Sequence, residues 1–154
     1  MKMLRRLMSL LALVACLGFL TACPKQPARV NILIAAASNA NPDPAGRGLS
    51  VVVQIYQLKD RGRFETADYG AILKKDRETL SDDYLDSQER VLQPGDQKVL
   101  EFSANPMAAY IGVAAMFRSP SGDSWRAIIP IKGKKPKFAV NLRENSIELT
   151  SLAK

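Results

Sequence analysis

The strongest nucleophiles that this chain carries by residue type are two thiols, Cys16 and Cys23, both within the first 23 of its 154 residues. Histidine is absent. That excludes Ser-His-Asp and Cys-His catalysis, and zinc held by imidazole. Carboxylates remain for acid–base work. Asp82 and Asp83 are adjacent, but neighbouring acids in a turn more often make a solvated surface than a proton-transfer pair. No glycine-rich phosphate loop, calcium loop or internal repeat is legible. A carboxylate-dependent cell-wall enzyme stays open as a reading, and no spacing nominates its residues. The expectation is a protein without catalysis, metal or cofactor.

The setting of Cys23 gives its thiol a different chemistry. Lys2, Arg5 and Arg6 open the chain without an acid, residues 7–20 are almost wholly apolar, and Leu20-Thr21-Ala22-Cys23 closes the run before Pro24, Lys25 and Gln26. A basic start, a short apolar run and a small-residue cleavage site make a bacterial export signal. The run falls short of the about 20 residues that a membrane-spanning helix needs. Residues 20–23 resemble a lipobox. That resemblance implies cleavage before Cys23, diacylglycerol on its sulfur and a third acyl chain on the new amine. One acyl chain binds a bilayer only reversibly, at about 0.8 kcal/mol per buried methylene; three make a lasting anchor. Leu13-Val14-Ala15-Cys16 offers a rival register, but it would strand Leu17-Gly18-Phe19-Leu20 on the mature chain. A plain secretory signal with a chance cysteine is the bland alternative. Pro24, in place of the aspartate that commonly retains lipoproteins in the inner membrane, favours the periplasmic face of the outer membrane.

The expected organisation is a signal peptide at 1–22, a lipidated N-terminus and linker at 23–29, and a domain at 30–154. About 130 residues can bury a core. The formal charge of +7 loses the three cations Lys2, Arg5 and Arg6 with the signal. What remains is an ordinary solubility charge and weak evidence for nucleic acid. With Cys16 removed and Cys23 acylated, no disulfide can brace the domain.

Along the domain, the pattern is strand and turn. Val30, Ile32 and Ile34 mark a first strand over 30–37, and Val51, Val53 and Ile55 alternate through a second over 51–58. Between them, residues 38–50 read as a loop, with Asn39, Asn41-Pro42-Asp43-Pro44 and Gly46-Arg47-Gly48. Phe64, Ala67, Ala71 and Ile72 make one helical stripe, and Asp76 is placed to cap a second short turn through Leu80. Strands follow at 85–92, 98–102, 110–118, 125–131, 138–142 and 147–150. Pro94-Gly95 suits a tight turn with positive φ at glycine. The lysines of residues 132–137 read as a hairpin tip that keeps an edge soluble, with contact to anionic lipid or peptidoglycan as the alternative. Trp125 reads as core or half-buried, and Arg118 and Arg126 as cations placed to meet acids. About eight short strands with one helical insertion between strands 2 and 3 argue for a mainly β, two-sheet sandwich.

The second strand and its flanks carry a resemblance. Asn41-Pro42-Asp43, Gly46-Arg47 and Val51-Val52-Val53-Gln54-Ile55-Tyr56-Gln57-Leu58-Lys59-Asp60 resemble the type VI secretion lipoprotein family, TssJ. Phe64 with Ala67-Asp68, Leu92-Gln93-Pro94-Gly95, and Ile111-Gly112-Val113-Ala114-Ala115-Met116-Phe117-Arg118 followed by Trp125-Arg126 agree in order and spacing. Two positions depart: Ser50 replaces a usual proline, and Gly70 a common aromatic. The resemblance implies a transthyretin-like β-sandwich held on the outer membrane by lipid on Cys23. It implies an anchor role in the envelope-crossing secretion complex, through contact with the periplasmic domain of the inner-membrane protein TssM, which works with TssL. It assigns that contact to the loop over 38–50, here Asn39, Asn41, Pro42, Asp43, Pro44, Gly46 and Arg47. The loop's physics is compatible, since Pro42 and Pro44 fix φ and lower the ordering cost at binding. The alternative function is a periplasmic ligand-binding lipoprotein with a cavity between the sheets. Ala35-Ala36-Ala37 and Ala114-Ala115 favour close sheet packing over a roomy cavity.

Overall fold

A computed structural model describes residues 26–152. The export signal, Cys23 and residues 24–25 of the linker lie outside the described residues. Eight strands run in chain order: β1 (Arg29–Ala36), β2 (Val51–Leu58), β3 (Tyr84–Leu92), β4 (Gln97–Ser103), β5 (Tyr110–Met116), β6 (Arg126–Pro130), β7 (Lys137–Leu142) and β8 (Ile147–Ser151). They form two four-stranded sheets, ordered β4-β1-β7-β8 and β3-β2-β5-β6. β1 pairs antiparallel with β4 and parallel with β7, with Ile32 opposite Leu100 and Phe138. β2 lies between β3 and β5, both antiparallel.

Alternation builds the core. Val30, Ile32, Ile34 and Ala36 of β1 point inward, as do Val51, Val53 and Ile55 of β2, Ile111 and Val113 of β5, and Val140 and Leu142 of β7; all are buried. Each valine, leucine and isoleucine among them contributes about 1.5–3 kcal/mol by leaving water. The space between the sheets is thus filled by side chains, in keeping with the alanine runs.

The second half of β2 is buried on both faces: Tyr56, Gln57 and Leu58 follow Ile55 without an exposed position. The helical insertion covers that outer face. α1 (Gly62–Thr66) and α2 (Tyr69–Leu80) bring Phe64 to 5.6 Å and Tyr69 to 5.2 Å, centroid to centroid, from Tyr56 and Trp125 respectively. The helical stripe is interrupted, however. Ala67 (φ −68°, ψ 143°) and Asp68 (φ −71°, ψ 147°) are extended and separate the two helices. The stripe's side chains therefore reach the sheet from two short segments. α2 kinks at Lys75 (φ −147°, ψ 43°), and Asp76 after the kink accepts the Tyr56 hydroxyl proton at 3.2 Å. Burial, then the charge of Asp76, raises the Tyr56 phenol above its usual range. Among the described residues, no helix is long and apolar enough to cross a membrane.

Residues 132–137 are not a hairpin tip. β6 and β7 belong to different sheets, so this segment crosses between them. The turn at 93–96 does the same between β3 and β4, with Gly95 at φ 84°. The sandwich thereby has two distinct ends. One gathers the linker, residues 104–109 and the 131–136 crossover, through Arg29 N–H to Lys134 O (2.9 Å), Ala104 N–H to Ala28 O (2.8 Å) and Ile131 N–H to Ala109 O (2.9 Å). The other gathers residues 37–50, 93–96, 117–125 and 143–146.

Candidate functional site

The loop between β1 and β2 occupies the end remote from the linker, and its residues divide into a buried base and an exposed tip. Asn41 makes the base. It sits at φ 54°, a conformation that asparagine tolerates better than most residues, and is buried. Its side-chain amide donates to Ser50 O at 2.8 Å and accepts the Arg118 N–H at 2.7 Å. Its own N–H donates to Glu144 O at 2.6 Å. One residue, through its side chain and its own N–H, thus ties together the loop exit, the segment after β5 and the β7–β8 turn. Leaving a buried donor or acceptor unpaired costs about 1–3 kcal/mol each. Asn39 is exposed, but its amide donates to Glu144 Oε1 at 2.8 Å.

Gly48 closes the base from the other side. A Cβ there would lie 2.4 Å from Ser38 O, so only glycine lets the two arms of the loop approach. Ser50 is held by donating from Oγ to Gln93 Oε1 at 2.8 Å.

Asp43 shapes the tip. Its Oδ1 accepts the N–H groups of Ala45 (2.8 Å) and Arg47 (2.9 Å), and its Oδ2 accepts Arg47 Nε (2.8 Å). A second guanidinium nitrogen lies 2.8 Å from the same Oδ2. The main chain closes on itself through Asp43 N–H to Arg47 O and Gly46 N–H to Asp43 O, both 2.9 Å, with Gly46 at φ 80°. The Arg47 backbone N–H, then its guanidinium, hold the Asp43 carboxyl below the usual carboxylate range; the more distant Arg118 adds to this. The Asp43 side chain is only 13% exposed and that of Arg47 is 80% exposed. The surface offered to solvent is therefore Pro44, Ala45, Gly46 and Arg47, with Leu49 beside them, 40% exposed. Pro42 is half-buried beneath.

All seven loop positions singled out in the sequence lie in this one loop, but in different roles. Asn41 and Asp43 build it, Asn39 fastens it, and Pro44, Gly46 and Arg47 present it. Sequence reading missed Ala45, Gly48 and Glu144. The Gly46-Arg47-Gly48 repeat was a signal for Gly48; nothing local marks Glu144, which arrives from the far end of the chain. Elsewhere, Arg126 meets Asp123 at 2.8 Å and donates to the carbonyls of Phe64 and Ala67, capping α1, and Trp125 is core. Among the described residues no cluster of three metal-ligating side chains occurs. The loop offers shape, hydrogen-bonding groups and one exposed guanidinium held by Asp43, which suits recognition of another surface.

The model of the family described as type VI secretion lipoprotein, VasD, EvfM, TssJ, matches residues 28–150. Several solved structures share the fold. The T6SS lipoprotein TssJ1 from Pseudomonas aeruginosa is 27% identical, with a TM-score of 0.78 over 83% of this chain and 98% of that one. A chain of a structure described as a type VI membrane complex is 33% identical, with a TM-score of 0.73 over 83% and 100%. A chain of a structure described as the C-terminal domain of the T6SS protein TssM from EAEC is 32% identical, with a TM-score of 0.70 over 79% and 99%. No curated protein matches the chain significantly.

Proposed function

The chain belongs to the type VI secretion lipoprotein family, and from that premise we propose that it anchors the secretion membrane complex at the periplasmic face of the outer membrane. In this reading the thiol of Cys23 carries the lipid, and the loop over 38–50 binds the periplasmic domain of TssM, within a complex that includes TssL. The observation that carries it is the braced tip of residues 43–47 at the end of the sandwich remote from the linker. A tip pre-shaped by Asp43 forfeits little freedom on binding, where each newly immobilised side chain would cost about 0.5–1.5 kcal/mol. Two of the solved relatives come from structures described as a type VI membrane complex and as a TssM domain, which supports this choice of partner.

The test is calorimetric titration of residues 24–154 with the periplasmic domain of the host's TssM. A parallel variant replaces residues 43–47 by glycine and serine, sparing Asn39 and Asn41 because they brace the fold. Saturable binding that disappears in the variant, with an unchanged circular dichroism spectrum, is expected. Undiminished binding by the variant would remove the loop from the interface, and no binding by folded wild-type protein would overturn the partner.

A further inference from the structure

The end of the sandwich that receives the linker carries a surface of another kind. Arg29 donates to Lys134 O at 2.9 Å and Asn31 to Pro136 O at 3.0 Å, which seats the 132–137 crossover against the start of β1. Arg29, Lys132, Lys134, Lys135 and Lys137 are all exposed there. Among the described residues, none of these five cations forms an ion pair. Glu101 shares a hollow with Arg29, Lys135 and Lys137 and accepts from Asn31 Nδ2 at 2.5 Å.

Apolar side chains stand out of the same end. Met107 is 63% and Leu152 46% exposed. Ala104 N–H to Ala28 O (2.8 Å) brings the segment of Met107 to the linker, and Leu152 N–H to Lys137 O (3.0 Å) brings Leu152 to the lysines. The same end has an open hollow of about 780 Å³, lined among others by Pro27, Ala28, Pro106, Ala108, Ile131 and Lys134. Exposed apolar tips ringed by long cationic side chains are what a bilayer interface accepts: the tips enter the acyl boundary and the cations reach phosphates.

Resting on the reading that Cys23 carries lipid, we propose that this end is a membrane-docking face for an anionic phospholipid leaflet. Met107 and Leu152 enter the headgroup boundary, and Arg29 with the four lysines contacts headgroup phosphate. Five residues separate Cys23 from Arg29, a span of at most roughly 20 Å when extended, so the tether keeps this face at the surface and a weak contact is well populated. A glycan strand would satisfy the lysines but leave Met107 and Leu152 in water, which favours the bilayer. Docked this way, the 43–47 tip points away from the membrane.

The experiment uses the full lipidated protein in phosphatidylcholine vesicles containing phosphatidylglycerol. An environment-sensitive fluorophore is placed through Met107→Cys, or through Ala45→Cys as the distal control. Blue-shifted emission and quenching by shallow nitroxide lipids are expected at position 107 and not at 45. Combining Lys132→Gln, Lys134→Gln, Lys135→Gln and Lys137→Gln is expected to lower the docked population roughly tenfold or more, while the protein still sediments with the vesicles. Sedimentation with position 107 as aqueous as 45, or quenching indifferent to the lysines, overturns the docking face alone. Failure of the lipidated protein to sediment overturns the anchor, and the docking face with it.

Discussion

Asp43 is one carboxylate, yet it accepts from two main-chain N–H groups and a guanidinium, and the tip exists in its present shape because that carboxylate is charged. Its folded pKa lies below the usual 3.8. The sign follows directly: a depressed carboxylate contributes stability above its unfolded pKa and loses it as pH falls through the folded one. The expected outcome is an unchanged tip from pH 7 down to about 4 and loosening below, read as loss of hydrogen-exchange protection at the Ala45 and Arg47 amides. Asp43→Asn should remove that acid transition, because its amide oxygen can still accept but no longer titrates. A pH-independent wild type would show that the Arg47 pairing does not shape the tip. At this scale the sequence was half legible. Proline and glycine announced a loop, and Asp43 followed four residues later by Arg47 was compatible with a closed turn. The inward turn of Asn41 was not legible, because its partners Ser50, Arg118 and Glu144 are brought together only by the finished sandwich.

Among the elements, the helical insertion depends on a gap in a strand. Gly112 sits in β5 opposite Tyr56, and a Cβ there would lie 2.9 Å from Leu58 Cδ1 and 3.0 Å from Phe64 Cε1. Glycine ordinarily weakens a strand interior; here it admits the Phe64 ring onto the sheet. Gly112→Ala should destabilise by about 1–3 kcal/mol through overpacking, whereas Gly70→Ala, where a Cβ meets nothing within 4 Å, should stabilise by about 0.5–1 kcal/mol. Thermal unfolding of the two variants checks the pair; equal shifts would remove the steric argument. Strand β2 was legible to its last residue because its alternation is strong and its flanks are polar. The helices were less so. Helical spacing placed Phe64 and Ile72 correctly on the buried side, but it cannot register two extended residues, Ala67 and Asp68, that reset the phase.

For the whole molecule, strand count and sandwich architecture were readable, whereas the assignment of strands to sheets was not. A short polar turn looks the same whether it closes a hairpin or crosses between layers, and so the lysine segment at 132–137 was misplaced. That correction matters, because a crossover lies at an end of the sandwich and this one lies beside the linker. The separation of roles between ends leads to a prediction. Among the described residues the buried core runs from Val30 to Leu142, so Cys23→Ser should leave the sandwich folded while the protein is lost from the outer-membrane fraction and secretion stops. Normal fractionation of that variant would sink the anchoring role.

The position of β1 has a mechanical consequence. This strand joins the linker directly to the loop over 37–50, and it is flanked on both sides, by β4 and by β7. In the proposed arrangement, tension between the lipid and the bound partner enters at Arg29 and leaves beyond Ala36, along the strand's own axis. The hydrogen bonds of both ladders run across that axis. Because both points of attachment lie on β1 itself, the pull does not drive β1 past its neighbours, and the two ladders hold the strand extended. The pull is thus borne by the covalent backbone of β1, and the second sheet, with its helices, stays out of the load path.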